Sequence, residues 1–119
     1  MERARIKELG IEIKGEIYPL VFNLNVMEDI QREYETVEKW GELTDGSGGE
    51  LDAKALKYGL TAMINEGIDI YNEDHEEKRA FITEKQMGRI ITELGVEEAG
   101  KILNDTVIES AKSDDAKNE

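Results

Sequence analysis

Apolar residues recur at steps of three and four along residues 52–71, where Leu56, Leu60, Met63, Ile64, Gly67, Ile68 and Tyr71 fall on one side of a helix. Lys54, Lys57, Thr61, Asn65, Glu66 and Asp69 turn mostly elsewhere. Asp52 stands where an N-cap should, its carboxylate able to accept from the free N–H groups of the first turn. Gly59 and Gly67 each cost about 1 kcal/mol against alanine inside a helix, so their use predicts close packing there. Such a helix needs a partner surface, and the rest of the chain is arranged to supply one.

Upstream, residues 9–22 read as a β-hairpin. Ile11 and Ile13 alternate with Glu12 and Lys14, and Ile17, Pro19 and Val21 share a parity on the second arm. Lys14-Gly15-Glu16 is the predicted turn, because Gly15 takes a positive φ without steric cost. Pro19, the single proline, cannot donate to a ladder and marks an edge or bulged strand. Asn25 reads as the next N-cap, with Glu28 closing a capping box, and Val26, Met27, Ile30 and Tyr34 share one side of the helix that follows. A short helix from Thr36 points Val37 and Trp40 inward together. Residues 44–50, rich in Gly and Ser, read as a flexible connection. The charged stretch after Tyr71 reads as a solvated helix end running into a loop. Thr83 and Gln86 form a capping box for a helix carrying Met87, Ile90, Ile91 and Leu94, which Gly95 stops. A last helix carries Ala99, Ile102, Leu103, Val107 and Ile108.

The predicted fold is therefore α+β and mainly α: one small domain over residues 1–110, an N-terminal hairpin followed by four to five helices. Those helices span about 26–35, 36–43, 52–72, 83–94 and 96–110. Residues 111–119 lack apolar periodicity and read as a disordered acidic tail. A length of 119 residues suits one modest core.

Charge narrows the function. A formal net charge of −13 argues against direct binding to nucleic acid phosphates and suits solubility or a basic partner. With no cysteine, disulfides, thiolate metal sites and cysteine nucleophiles are excluded. No apolar run approaches the roughly 20 residues that span a bilayer, and the basic N-terminus lacks the apolar core of a secretory signal. Neither membrane nor nucleic acid is expected as a partner.

Motifs for chemistry fail on spacing. The stretch from Asp45 opens like a calcium loop but places Glu50 where the turn needs glycine and Leu56 where a bidentate glutamate belongs. Gly46-Ser47-Gly48-Gly49 lacks the Lys-Ser/Thr pair of a phosphate loop. His75, the only histidine, sits among Asp74, Glu76 and Glu77 and reads as solvated rather than as a metal ligand. No serine, threonine or lysine has a nucleophile's setting, and 28 acids make paired carboxylates uninformative. A non-enzymatic interaction domain without cofactor or metal is expected. The open edge of a hairpin or a spare helical stripe would serve as its contact surface.

The order of features resembles a known family. Ile13, Gly15, Tyr18, Pro19, Leu20, Phe22 and Leu24 match the I-x-G-x-x-Y-P-L-x-F-x-L opening hairpin of tail assembly chaperones from long-tailed phages and prophages of Gram-positive bacteria. The helix with Met27, Ile30 and Tyr34 follows it, and residues 56–70 and 81–95 are similar to the family's later pieces. The resemblance covers roughly residues 11–110 and rests on apolar, structural motifs. It implies a virus-encoded helper in the host cytoplasm, absent from the mature virion. Such a helper binds the long hydrophobic tape-measure protein, keeps it soluble while tail-tube protein polymerises around it, and self-associates along it. Many members also have a longer form made by ribosomal frameshifting. Tyr18, Phe22, Met27, Trp40 and Tyr71 are the candidate partner or self-association contacts, each reading first as core. The alternative is an acidic interaction module, or a nucleic-acid mimic that binds a basic protein; carboxylates spread over every polar segment count against the mimic.

Overall fold

Helix α3 is the member that every other layer touches. In the computed structural model, which describes residues 5–6 and 9–117, the chain runs β1 (Arg5–Ile6), β2 (Gly10–Ile13), β3 (Glu16–Pro19), α1 (Leu24–Tyr34), α2 (Val37–Thr44), α3 (Ala53–Asp74), α4 (Glu84–Leu94) and α5 (Val96–Lys117). Strand β3 and helices α1, α2, α4 and α5 all pack on α3. The fold is the expected one: a mainly helical α+β domain whose N-terminal hairpin precedes five helices.

The stripe on α3 is buried as its spacing requires, with Leu56, Leu60, Met63, Ile64 and Ile68 all within the core. Asp52 caps the helix, its Oδ1 accepting from the Ala55 N–H at 2.8 Å. Around this stripe gather Ile11, Leu20, Phe22, Val26, Ile30, Trp40, Met87, Ile91 and Leu103, forming one hydrophobic core. Two glycines decide how near the neighbours come. A Cβ on Gly59 would lie 2.4 Å from Cζ2 of Trp40, and one on Gly67 would lie 2.4 Å from the Pro19 carbonyl oxygen. The Nε1–Cζ2 edge of the indole therefore lies directly against the helix backbone, and Nε1 donates to the Ala55 carbonyl at 3.0 Å. The chain leaving β3 lies equally close, Val21 N–H donating to the Met63 carbonyl at 3.2 Å.

The sheet has order β1-β2-β3, all antiparallel. β1 pairs Arg5 with Glu12 and Ile6 with Ile11, a strand the hydrophobic pattern did not announce. In the hairpin, Ile13 pairs with Glu16, so the loop is the two residues Lys14 and Gly15, at φ 52° and 82°. Both positive values fit a type I′ turn, in which Lys14 carries about 1 kcal/mol of strain that Gly15 escapes. The expected turn included Glu16, and one residue fewer reverses the parity of the second arm. Tyr18 now stands opposite Ile11 and Leu20 is buried, while Ile17 and Pro19 face outward.

Other boundaries shift for local reasons. Helix α1 is capped by Asn23, not Asn25: Asn23 Oδ1 accepts from Val26 N–H at 3.2 Å, so the expected box between Asn25 and Glu28 does not form. Thr36 caps α2, and the Thr83–Gln86 box caps α4 with both of its hydrogen bonds present. Gly95, at φ 93°, ends α4. Helix α5 continues to Lys117, through most of the segment expected to be disordered. Once a helix is anchored by packing, each further residue adds a hydrogen bond, and this stretch carries Ala111 and an i,i+3 pair between Glu109 and Lys112 at 3.5 Å. Asn118 and Glu119 lie outside the described residues, as does most of the N-terminal stretch read for a secretory signal.

Gly67→Ala should lower the unfolding midpoint in urea despite its better helix propensity. Its Cβ meets a backbone oxygen that cannot rotate away, which costs about 1–3 kcal/mol against a propensity gain of about 1 kcal/mol. Gly59→Ala should do the same by displacing Trp40, visible as a red shift of its fluorescence. Tyr34 and Tyr58 meet edge to face at 5.8 Å, and both phenol pKa values are raised above 10, first by burial and then by nearby carboxylates, of Asp52 and Glu33 for Tyr34 and of Asp29 and Glu33 for Tyr58. The unfolded chain loses these protons first, so stability is full below pH 10 and falls as pH rises above it. Tyr58 donates to the Asp29 carbonyl at 2.9 Å, whereas the shielded Tyr34 hydroxyl has no partner among the described residues. Tyr34→Phe should therefore leave the midpoint at pH 7 unchanged or higher and make the alkaline decline shallower; Tyr58→Phe should cost about 1 kcal/mol.

Candidate functional site: an apolar groove and a closed strand edge

The expected contact residues divide into three places. Trp40 is buried against Gly59 and stacks on Phe22 with ring centroids 6.1 Å apart and planes 10° apart, so it is a core residue. Tyr18 and Tyr71 flank the guanidinium of Arg79, whose Cζ lies 4.4 Å from one ring centroid and 4.0 Å from the other. His75 stacks on Tyr71 at 3.6 Å. Phe22 and Met27 reach a surface depression together.

The Arg79 assembly closes the outer edge of the hairpin. In a two-residue hairpin the pair flanking the loop exchanges both hydrogen bonds, so Ile17 and Pro19 point their backbone groups outward. Arg79 Nη1 donates to the Ile17 carbonyl at 3.0 Å, and Pro19 has no N–H and seats its carbonyl on Gly67. The edge expected to accept a strand is thus filled by the chain itself. Arg79 is held in turn by Asn72, whose amide exchanges two hydrogen bonds with the Arg79 backbone, at 2.8 and 3.1 Å. Two helical turns earlier, Asn65 does the same with Ile82, at 2.8 Å both ways. The segment read as fully solvated is therefore strapped to α3, and the Arg79 side chain is only 14% exposed.

The depression that Phe22 and Met27 reach has a volume of 540 Å³ and lies between the β3–α1 connection and α5. Leu9, Leu20, Val21 and Leu24 complete its apolar lining, and Thr106, Glu109 and Ser110 of α5 form the far wall. Leu24 is 79% exposed, the most exposed large apolar side chain among the described residues, and Ile108 is 52% exposed. A second depression of 390 Å³ shares Leu9 and Glu109 with the first and extends past Ile108 to Lys112. Leu24 lies off the apolar stripe of α1, whereas Ile108, expected among the apolar positions of the last helix, turns away from the core.

The remaining sequence motifs hold no ligand-like arrangement. Asp45 Oδ1 accepts from Ser47 N–H at 2.8 Å, a bond that holds its carboxyl below the usual range and makes the Gly/Ser loop a local turn. His75 Nδ1 lies 2.8 Å from the Tyr71 carbonyl. Among the described residues there is no group of three or more His, Asp or Glu that could hold a metal ion, and no helix long and apolar enough to cross a membrane. No protein-family model matches the chain, and neither a curated protein nor a solved structure shows significant similarity to it.

Arg79→Lys keeps the charge but loses the planar group between two tyrosines. It should lower the urea midpoint by the equivalent of about 1–2 kcal/mol. Because Glu16 lies 3.6 Å away and is 61% exposed, added salt should barely change that difference.

Proposed function

We propose that this chain is a non-enzymatic assembly chaperone of the phage tail type, which binds the tape-measure protein in the host cytoplasm and keeps it soluble until tail-tube protein surrounds it. The observation that carries the reading is an apolar groove that no other described residue covers, with Leu24 and Ile108 exposed on a chain of net charge −13. An apolar concavity left open on a strongly charged small domain suits a protein that holds another apolar chain in solution. The hairpin motif and the order of helices support the same assignment through their resemblance to that family. Copies ranged along one long client would meet through surfaces other than the outer edge of β3, which Arg79 and Pro19 occupy.

Co-expression with the product of the largest open reading frame downstream of the gene tests the proposal. The expected outcome is soluble recovery of that product only when this chain is present, with the two co-purifying. An insoluble product and no co-purification would remove the tape-measure assignment.

A further inference from the structure

We infer that the groove between the β3–α1 connection and α5 receives an amphipathic helix whose apolar face is flanked by lysine or arginine. This rests on the reading that the chain holds a protein client, and adds which surface does so and what chemistry it selects.

The polar groups around the groove are already engaged. Ser110 donates from Oγ to the Phe22 carbonyl at 2.9 Å, and Thr106 to the Ile102 carbonyl at 2.8 Å. Asn23 caps α1 with its oxygen and donates from its amide to Glu66 at 2.7 Å. A small polar ligand would find no convergent donors and acceptors here. The backbone is equally engaged: Leu20 N–H donates to the Leu9 carbonyl at 3.0 Å, and Val21 N–H to the Met63 carbonyl. An extended peptide thus meets no free ladder to join, whereas a helix arrives with its own backbone satisfied and needs only apolar contact.

Charge sets the flanks. Asp105 and Glu109 stand beside Ile108 on the wall of the adjoining depression, and Lys112, the one cation among its described lining residues, is paired to Glu109. With a net charge of −13 on the whole chain, a cationic helix is attracted and an acidic one repelled. That disfavours a second copy of this chain, none of whose helices carries a net positive charge. The two depressions share Leu9 and Glu109 and adjoin there as one trough.

The test uses a fluorescent synthetic peptide of about five helical turns, built of leucine and lysine with leucines three and four apart. A shuffled peptide of the same composition and a leucine–glutamate counterpart serve as controls. By anisotropy, the full chain should bind the ordered leucine–lysine peptide at least about tenfold more tightly than either control. Leu24→Asp and Ile108→Asp, both at exposed positions and checked for an unchanged unfolding midpoint, should each weaken it by about tenfold or more. Asp105→Asn with Glu109→Gln should weaken it several-fold and flatten its salt dependence. Equal binding of the shuffled peptide, or unchanged binding by the Leu24 and Ile108 variants, would overturn the inference in favour of diffuse charge attraction. If instead Leu24→Asp turns an oligomer into a monomer without affecting the peptide, the occupant is a second copy and the inference falls. The peptide assay contains no tape-measure protein, so it can succeed where co-expression fails. Conversely, a client kept soluble equally well by the Leu24→Asp chain would leave the chaperone role standing and remove the groove from it.

Discussion

How closely other elements approach the backbone of α3 governs the architecture. Side-chain packing normally holds two backbones apart by the length of what lies between them, and at Gly59 and Gly67 the helix contributes no side chain of its own. Trp40 fills the first gap and the Pro19 carbonyl the second. Because the two glycines are eight residues apart, roughly 80° around the helix, their contacts fall on adjoining parts of its buried face, one receiving α2 and the other the end of the hairpin. The sheet and the helical layer are thus registered on one rigid rod. Phe22 joins them by stacking on Trp40 as the chain leaves the sheet.

A second use of α3 is polar. Asn65 and Asn72, seven residues apart and therefore on one side, treat the passing loop as a strand would, each exchanging two hydrogen bonds with one residue of it. A side-chain amide has the same donor and acceptor as a peptide group, so a helix can bind extended chain without being part of a sheet. The strap delivers Arg79 between Tyr18 and Tyr71, and its guanidinium caps the Ile17 carbonyl. An aromatic–cation stack and one hydrogen bond thereby do what a further strand would otherwise do for the hairpin edge.

Legibility in the sequence followed the range of each interaction. Caps at Asp52 and Thr83 and the stop at Gly95 act within four residues and were readable, as was the stripe of α3. The cost of Gly59 and Gly67 pointed to close packing without naming Trp40 or Pro19 as the neighbours. The hairpin was found but its second arm was turned over, because a loop of two residues and one of three differ in sequence by nothing except where pairing begins. Asn25 looked as good a cap as Asn23; tertiary contact decides, since Glu66 receives both amides and only Asn23 also reaches Val26. Arg79 sat in a run of charges, and nothing local told it from its solvated neighbours. Of the candidate contacts, Phe22 and Met27 reach the groove, while Trp40, Tyr18 and Tyr71 are consumed by the fold. The sequence places Leu24 in the hairpin motif and Ile108 among the apolar positions of the last helix, and neither stands out as a surface residue until the fold brings others beside it.

The bond from Ser110 to the Phe22 carbonyl joins residues 88 positions apart. One wall of the groove comes from residues 9–27 and the other from residues 106–110, so the groove does not exist until α5 has been made. An emerging polypeptide can fold its hairpin and α1 early, yet it acquires the trough only after α5 has been delivered and docked. Availability of that surface is consequently a report on docking: only a chain whose two distant walls have met can present it.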